Sequence, residues 1–486
     1  MRPPAKPSHI FDREAEWSAL ARFAVNPSSD VRLGVVSGRR RQGKTLLLAS
    51  LVEALGGFFF AASESTEVDA LRQLGSTLAE YAGGAAPYQF RDWQDALDAL
   101  FATAAGRLIV IDEFPYLVRA SPSLPSLLQH ALDQGGTARR GGGLTRLVLC
   151  GSAMSVMGNL LGGTAPLRGR ASLELVVPPF RYRDSARFWE IDDPRLAVLV
   201  HSIVGGTPAY RREFTGGDAP ESIADFDDWV VRTVLNPETP LFREARYLLA
   251  EEGEIRDTAV YHAVLGAIAS GNQTRGGIAS HMGRKSTDIA HPLTVLEDSR
   301  LIVREADPFR HGRAHYRIAE PLITFYEAVM RPAWTRLERR QTVRAWSEAR
   351  QRFLAQVVGP HFESLCREYA LDVDDGSFGG TPGDVVAGTV ADPERRSQIQ
   401  LDVVVFAPAV PGEPGRILSL GEAKWGEAMT GRHLDRLRRA RNLLALKGYD
   451  TDQAVLACYG AGGFGEDLQT AARRREATLV SLSDLY

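Results

Sequence analysis

One short segment constrains the fold of this chain more than any other. Residues 33–48, LGVVSGRRRQGKTLLL, join a short apolar run to a run with apolar residues at helical spacing. Gly38 precedes Gly43, Lys44 and Thr45 at the spacing in which backbone N–H groups surround phosphates, the lysine reaches the outer phosphates and the threonine holds Mg²⁺. The segment therefore predicts a strand, a phosphate-binding loop and a helix whose N-terminus faces the phosphates.

The same segment predicts the residues that contact the nucleotide, which we expect to be ATP. They are the whole loop and the first turn of the following helix: Gly38, Arg39, Arg40, Arg41, Gln42, Gly43, Lys44, Thr45 and Leu46.

Composition excludes several classes of protein. A chain of 486 residues has room for about three domains. The net charge of −3 argues against a protein that binds polyanions over its whole surface, so nucleic acid would be bound by local patches. The three cysteines show no zinc spacing, and no apolar run is long enough for a membrane span. The first residues, MRPPAKP, lack the apolar segment of a signal peptide, so we expect a cytoplasmic protein without membrane contact.

A second apolar run, residues 108–111, ends in Asp112 and Glu113. In a doubly wound sheet this strand would deliver both acids near the phosphate loop. We expect Asp112 to hold Mg²⁺ together with Thr45, and Glu113 to orient or deprotonate the attacking water. The pairing makes nucleotide hydrolysis the favoured chemistry.

Two further residues are candidates at the same sheet edge. Ser152 follows the apolar run 147–150 and is predicted either to sense the terminal phosphate or to cap the next helix. Arg170, in PLRGR at 166–170, is predicted to neutralise charge that develops on the transferred phosphoryl group.

These motifs carry a resemblance. GRRRQGKT at 38–45, IDEFPYL at 111–117, GSAMS at 151–155 and PLRGR at 166–170 are similar to those of the archaeal-type ATPases of the STAND branch of AAA+ proteins. The resemblance covers roughly residues 11–332. It implies that Asp12 and Arg13 open the nucleotide-binding module and that Gly206 and Pro208, in GGTPAY, close over the nucleotide. It leaves open whether Arg170 acts in its own subunit or in a neighbour's. We expect a P-loop ATPase core at 1–180 and a helical lid at 181–256.

The next region has the order helix, helix, turn, helix, hairpin, which is typical of a winged helix at 257–330. We expect helices at 274–282 and 285–299 and a wing at 301–318. Basic residues outnumber acids there, which permits DNA contact. The alternative, a domain that packs on the ATPase as a lid or relay, is equally open, and Pro292 inside the second helix disfavours groove binding. Residues 331–352 are predicted to be a basic linker helix, either facing a polyanion or solvated.

Near the end of the chain, residues 399–406 and 416–425 read as two strands of one hairpin. Asp402 lies on the first strand, and Glu422 and Lys424, two positions apart and therefore on one face, lie on the second. Two carboxylates beside a lysine suit Mg²⁺ or Mn²⁺: Asp402 and Glu422 would ligate the ion, and Lys424 would steady the attacking water or the developing charge.

This arrangement resembles the PD-(D/E)xK nuclease superfamily over residues 353–486, although Leu401 stands where the motif has proline. The resemblance implies that Glu363 contributes a further catalytic acid. The helix at 430–446 supplies plausible phosphate contacts in Arg432, Arg436, Arg438, Arg439 and Arg441. The expected fold is thus α/β: a P-loop AAA+ ATPase sheet with helical lid, winged helix and a C-terminal restriction-endonuclease-like α/β domain.

Three hypotheses about function follow. The leading one is a STAND/AAA+ ATPase coupled to a metal-dependent nuclease-like domain that acts on nucleic acid, with DNA favoured. The alternative is a nucleotide-dependent switch that binds DNA or a protein partner without cleaving. The third is the catalytic part of a defence or toxin system, against which the absence of sensor repeats counts modestly. A homo-oligomer is compatible with each.

Overall fold

The computed structural model describes residues 2–26, 32–140, 145–250, 258–412 and 414–486. The chain divides into two compact units. The first runs to Pro179 and includes Thr207–Ala209; the second begins at Phe180. That division falls beside the expected end of the ATPase core at residue 180, whereas the finer domain limits stay predictions. The limit expected between residues 256 and 257 lies outside the described residues.

The first unit contains a five-stranded, fully parallel sheet in the order β2-β3-β4-β1-β5. Its strands are β1 (Arg32–Ser37), β2 (Phe58–Ala61), β3 (Leu108–Asp112), β4 (Arg146–Gly151) and β5 (Ala171–Val176). Its helices are α1 (Glu14–Val25), α2 (Lys44–Leu55), α3 (Glu67–Tyr81), α4 (Trp93–Thr103), α5 (Phe114–Ala120), α6 (Leu124–Leu132), α7 (Thr137–Arg140) and α8 (Met154–Asn159). The predicted α/β class and parallel sheet of a P-loop protein are confirmed.

Apolar side chains cover both faces of this sheet, because residues alternate between faces along each strand. Ile109 and Ile111 pack in one cluster with Leu147, and Val110 packs in the other with Val148. A parallel sheet buried on both faces leaves its polar groups at the carboxyl ends of the strands. Asp112 and Gly151 end neighbouring strands at that edge.

The second unit begins with helices. They are α9 (Tyr182–Trp189), α10 (Pro194–Val204), a π-helical turn (Tyr210–Phe214), α11 (Phe226–Trp229), a second π-helical turn (Val230–Val234) and α12 (Pro240–Ala250). Next come α13 (Thr258–Ala269), α14 (Arg275–His281), α15 (Ala290–Asp298) and the antiparallel hairpin of β6 (Ile302–Ala306) and β7 (Ala314–Ile318).

One expectation for this region is corrected. The second helix of the expected winged helix begins at Ala290, not at residue 285, so Pro292 lies in its first turn. Proline is tolerated there because the first N–H groups of a helix have no partner within the helix. Pro292 therefore gives no argument against groove binding. Assignment of α13 to β7 as a winged helix stays a prediction.

The expected linker helix is also corrected. The chain continues through α16 (Pro321–Phe325), a π-helical turn (Tyr326–Met330), a 3₁₀ turn (Arg331–Ala333), α17 (Trp334–Glu338), α18 (Thr342–Phe353), a third π-helical turn (Leu354–Val358) and α19 (Gly359–Asp372). The helix is interrupted where Arg340 adopts a positive φ of 60°. Trp346 and Phe353 are buried, and Arg350 pairs with Asp227 at 2.8 Å. α18 is therefore a packed helix of the second unit.

The chain ends in a second five-stranded sheet, of mixed direction, in the order β12-β11-β10-β9-β8. Its strands are β8 (Val385–Asp392), β9 (Ser397–Phe406), β10 (Ile417–Lys424), β11 (Val455–Gly460) and β12 (Thr478–Ser481), with helices α20 (Gly431–Leu446), α21 (Glu466–Arg473) and α22 (Leu482–Leu485). β8 was not expected. No helix in the described ranges has both the length and the apolar character needed to cross a bilayer.

Candidate functional sites

The phosphate loop lies between β1 and α2. Gly38 has φ 153°, and a Cβ there would lie 2.5 Å from the carbonyl oxygen of Val177, so the close approach requires glycine. Lys44 Nζ donates to the carbonyl oxygens of Gly38 at 2.7 Å and Arg39 at 2.9 Å. Burial lowers the pKa of Lys44. The lysine is thus held inside the loop by main-chain acceptors. Arg41 lies in the loop, and Leu46 lies in the first turn of α2.

The two residues expected to hold Mg²⁺ lie together. Thr45 Oγ1 donates to Asp112 Oδ2 at 2.6 Å. The N–H of Glu113 donates to Asp112 Oδ1 at 2.9 Å, which fixes the other oxygen of that carboxylate. Because α2 starts at Lys44 and β3 ends at Asp112, these contacts follow from two elements of one sheet.

Ser152 contacts the carboxylate of Glu113. Its hydroxyl lies 3.0 Å from Glu113 Oε1 and 2.9 Å from Oε2, and it accepts from Arg40 Nε at 3.3 Å. Arg40 Nη2 also donates to the hydroxyl of Tyr116 at 2.5 Å. The alternative role as a helix cap is not realised, since α8 begins at Met154 after Ala153 and no side chain caps it.

Tyr116 was missed by the sequence reasoning. It lies one helical turn after Glu113, within the acidic motif itself, and that spacing was the available signal. Arg170, by contrast, pairs with Asp133, whose Oδ1 accepts from its Nη2 at 2.6 Å and from its Nε at 3.1 Å. Its role toward the phosphoryl group stays a prediction.

The GGTP motif contributes a contact that was not predicted. Gln42 Nε2 donates to Thr207 Oγ1 at 3.0 Å, and both side chains are buried. A Cβ on Gly206 would lie 1.9 Å from the carbonyl oxygen of Phe180, which excludes any other residue at that position. Pro208 follows Thr207 and is half-buried. The roles of Gly206 and Pro208 toward a nucleotide stay predictions.

The opening residues of the first unit also reach the loop. Arg13 has a positive φ of 72° and is almost fully buried. Its Nη2 donates to the carbonyl oxygens of Pro178 at 2.7 Å and Gln42 at 3.4 Å. This arginine fixes the backbone of the phosphate loop beside Gln42.

A second cluster of charged side chains lies in the C-terminal sheet. Val403 on β9 pairs with Gly421 on β10, which brings Asp402 and Glu422 beside each other. Lys424 Nζ lies 3.7 Å from Asp402 Oδ2 and 3.3 Å from Glu422 Oε1. Asp402 is 4% exposed and Glu422 is 1% exposed, whereas the lysine side chain is 38% exposed. The lysine ammonium therefore stands at the open side of two buried carboxylates.

Glu363 projects from α19 toward this cluster. Burial, and after it the negative charge of Asp402, raise the pKa of Glu363 to about 8, although Arg367 and Lys424 act to lower it. Burial also raises the pKa of Asp402, while Lys424 lowers it. Arg367 Nη1 donates to the carbonyl oxygen of Asp402 at 2.9 Å. Arg367 was not predicted, and its place one helical turn after Glu363 was the available signal.

The expected phosphate contacts of α20 are largely occupied. Arg436 Nη1 pairs with Glu422 Oε1 at 2.8 Å, inside the cluster itself. Arg439 pairs with Asp392 at 2.8 Å and with Glu394 at 2.5 Å. Arg432 pairs with Glu427 at 3.6 Å, and Arg438 pairs with Asp435 at 3.0 Å and with Glu476. Four arginines expected to face phosphates thus have acidic partners in their own unit.

Across the ranges that the structure describes, three or more His, Cys, Asp and Glu side chains are nowhere grouped as they would be to hold a metal ion. The C-terminal cluster has instead two carboxylates with Lys424 between them. A divalent ion fits this donor set if the ammonium moves aside, because carboxylate oxygens are the ligands that Mg²⁺ and Mn²⁺ prefer.

The tip of the β6–β7 hairpin packs on the C-terminal sheet. A Cβ on Gly388 of β8 would lie 2.6 Å from the ring of Phe309. The carbonyl oxygen of Pro308 accepts from the hydroxyl of Tyr449 at 3.0 Å. The tip of this hairpin is therefore packed against residues of the same unit.

Comparison with known proteins gives the following similarities. No family model matches the chain. The uncharacterized protein MJECL04 of Methanocaldococcus jannaschii is 26% identical over 372 residues, which cover 75% of this chain and 78% of that protein. The Walker-type ATPase PABY2304 of Pyrococcus abyssi aligns with TM-score 0.49 and 20% identity over 67% of this chain and 98% of that one. The ORC2 protein of Aeropyrum pernix aligns with TM-score 0.41 and 15% identity over 70% and 96%.

Proposed function

We propose that the first unit binds and hydrolyses ATP as a member of the archaeal-type STAND branch of AAA+ ATPases. The observation that carries this proposal is the 2.6 Å hydrogen bond between Thr45 and Asp112 next to a lysine enclosed by the phosphate loop. Loop N–H groups and Lys44 bind the phosphates, and Thr45 with Asp112 would hold Mg²⁺. The metal ion, when bound, offsets negative charge on the transferred phosphoryl group.

Within this proposal Glu113 orients the attacking water and accepts its proton. Ser152 orients the Glu113 carboxylate, because its hydroxyl contacts both carboxylate oxygens. Arg40 in turn donates to that hydroxyl. The test is the variant Glu113→Gln, which should still bind ATP but should release phosphate at least about a hundredfold more slowly. Glu64→Gln, an exposed carboxylate outside the site, is the control. Wild-type hydrolysis by Glu113→Gln would overturn the assignment of the base.

We further propose that the C-terminal domain is a metal-dependent nuclease of the PD-(D/E)xK kind that acts on DNA. The supporting observation is the convergence of Asp402, Glu422 and Lys424 at the end of one hairpin, with Glu363 beside them. Asp402 and Glu422 would hold the ion, which supplies charge that stabilises the pentacovalent phosphate. Lys424 positions the water or the negative oxygen, and Glu363 completes the acidic set.

The test of this second part is cleavage of single-stranded, double-stranded and supercoiled DNA, and of RNA, with Mg²⁺ or Mn²⁺. Wild type should cleave one of these, and Glu422→Gln should not. Glu427→Gln is the matched control, because Glu427 is an exposed carboxylate five residues away. Equal cleavage by wild type and Glu422→Gln would contradict the assigned site.

A second candidate function is a nucleotide-dependent switch that binds DNA or a protein partner without cleaving it. The observation that favours it is the pairing of Glu422 with both Arg436 and Lys424, which leaves the carboxylate neutralised within the protein. Exposed cations near α14 and α15, Arg275, Arg284 and Lys285, offer phosphate contacts. Nucleotide-dependent DNA affinity without cleavage on any substrate or metal would favour the switch.

A further inference from the structure

Helix α10 is enclosed within the second unit and touches residues on both sides of the C-terminal cluster. Its buried residues cover its circumference: Leu196, Ala197, Val198, Leu199, Val200, Ser202, Ile203 and Val204. A helix that is apolar all round is a core element and not a surface cover. Two polar residues of the helix make contacts with other segments: Arg195 near its start and His201 near its end.

At the start of α10, Arg195 holds the ends of β10 and β11. Its guanidinium carbon lies 4.7 Å from the ring centre of Trp425, the residue directly after Lys424. Its Nη1 donates to the carbonyl oxygen of Ala461 at 3.2 Å. The N–H of Ala461 in turn donates to the carbonyl oxygen of Lys424 at 2.9 Å. Arg195 thus contacts Trp425, which follows Lys424, and Ala461, whose N–H bonds to the carbonyl oxygen of Lys424.

At the other end of α10, His201 Nδ1 lies 2.8 Å from Nε2 of His361, which is two residues before Glu363 on α19. Both residues are half-buried, and burial lowers the pKa of each. The ring of Phe362, between His361 and Glu363, packs on Trp425 with ring centres 5.6 Å apart. One helix thus contacts the segments that carry two of the four candidate catalytic residues.

The end of α10 leads directly into the motif that reaches the phosphate loop. Gly205 and Gly206 follow Val204, and Thr207 is the residue that accepts from Gln42. Both positions favour glycine: Gly205 has a positive φ of 57°, and a Cβ on Gly206 would lie 1.9 Å from the carbonyl oxygen of Phe180. The peptide bond between Gly206 and Thr207 therefore joins this end of the helix segment directly to the residue that contacts Gln42.

We propose that Arg195 is a positioning residue of the C-terminal site, and that α10 couples nucleotide binding at the phosphate loop to the placement of Lys424. The proposal rests on the proposed nuclease function for its catalytic readout. Arg195 touches neither substrate nor metal in this account; it acts through Trp425 and Ala461. Its effect should therefore appear in the rate of the chemical step and not in the binding of nucleic acid.

The first arm of the test compares cleavage by wild type, Arg195→Ala, Arg195→Lys and Arg473→Ala. Arg473 is an exposed arginine that bonds Thr470 on its own helix, and its loss should leave cleavage unchanged. Arg195→Ala should lower kcat about tenfold with little change in KM, because a small displacement of a catalytic group costs rate. Arg195→Lys keeps the cation over Trp425 and should recover part of the rate. Cleavage by Arg195→Ala at the wild-type rate would overturn the proposal.

The second arm does not depend on cleavage. The difference in tryptophan emission between wild type and Trp425→Phe isolates Trp425 from the other six tryptophans. That difference should change when ATP is added, and the change should vanish in Lys44→Ala and in an Arg195→Ala background. If wild type cleaves nothing, the proposed nuclease function fails while this arm still tests the coupling. An ATP response that is absent from wild type, or that persists without Arg195, would overturn it.

Discussion

The phosphate-loop site and the C-terminal cluster both place charged side chains at the end of a sheet, but they balance those charges differently. Lys44 is held by main-chain carbonyl oxygens, and the nearby acids bond to Thr45, Ser152 and a backbone N–H. In the C-terminal cluster, Glu422 pairs directly with Lys424 and with Arg436. Asp112 and Glu113 thus bond to neutral groups in the first site, whereas Glu422 bonds to two cations in the second.

This difference in how the charged side chains are bonded determines how a ligand would change each site. A phosphate ligand adds negative charge where Lys44 and the loop N–H groups already point. In the proposed nuclease, a divalent cation would have to displace Lys424 or Arg436 from Glu422, so a movement of either side chain would alter metal binding. Under the proposed coupling, a displacement of Lys424 transmitted through Arg195 and Trp425 would be enough to alter the second site.

The largest expected effect distinguishes the role of Lys44 from that of Lys424. Lys44→Ala should lower ATP hydrolysis about a thousandfold, because it removes the cation that reaches the outer phosphates. Lys424→Ala should leave ATP hydrolysis within about twofold of wild type and abolish cleavage. Steady-state phosphate release measures the first effect, with Lys285→Ala, an exposed lysine, as control. Equal loss of ATP hydrolysis in Lys44→Ala and Lys424→Ala would contradict the assignment of the two lysines to separate sites.

The next effect concerns stability of the second unit at low pH. Burial lowers the pKa of His201 to about 4 from its ordinary value of 6.5. Above pH 6.5 the ring is neutral in folded and unfolded chains; below it the unfolded chain gains the proton first, so stability falls as pH drops from 6.5 toward 4. The loss should be on the order of 3 kcal/mol at pH 4.

Denaturant unfolding from pH 7 to pH 4 measures this loss for the second unit. His201→Asn should reduce the pH dependence, because only His361 of the pair then remains, whereas His311→Asn, at an exposed position of the β6–β7 hairpin, should not. A pH dependence that is identical in both variants would show that His201 is not its source.

A smaller effect is expected at the contact of Ser152 with Glu113. Ser152→Ala removes the hydroxyl that contacts both carboxylate oxygens and accepts from Arg40. Hydrolysis of ATP should slow about tenfold while ATP affinity is retained, because the base loses its orientation and not the phosphate contacts. Ser155→Ala is the control within the same motif. If Ser152→Ala weakens ATP binding instead, the serine contacts phosphate directly.

The smallest expected effect tests the charge balance of the C-terminal cluster. Arg436→Ala removes a half-exposed cation 2.8 Å from the buried carboxylate of Glu422 and should tighten Mn²⁺ binding about threefold, since a cation open to solvent contributes on the order of 1 kcal/mol. Arg438→Ala, whose partners are Asp435 and Glu476, should have no effect. Calorimetric Mn²⁺ titration measures the difference. Weaker binding by Arg436→Ala would mean that the arginine organises the site.

In both sites, the residues that could be predicted are those whose position follows from a short sequence pattern. The spacing from Gly38 to Thr45 predicts the loop, and the apolar run before Asp112 predicts its neighbour on the sheet, because parallel strands end at one edge. The period of two along β10 places Glu422 and Lys424 on one face. The pairing of β9 with β10 follows from their shared turn.

The remaining features depend on contacts between distant segments, which the sequence does not encode locally. Thr207 meets Gln42, and Arg195 meets Trp425, across long separations in the chain. β8 was missed because its residues, VVAGTVAD, are mostly half-buried and follow a loop rich in Gly and Asp. Most acidic partners of the α20 arginines lie on other segments, so these ion pairs could not be read from the helix alone.

The measurement that tests the central claim most directly is metal-dependent DNA cleavage with and without ATP by wild type, Lys44→Ala and Glu422→Ala. The account predicts that ATP changes the cleavage rate of wild type, that Lys44→Ala cleaves but no longer responds to ATP, and that Glu422→Ala does not cleave. Cleavage by wild type that is indifferent to ATP and identical in Lys44→Ala would contradict the account.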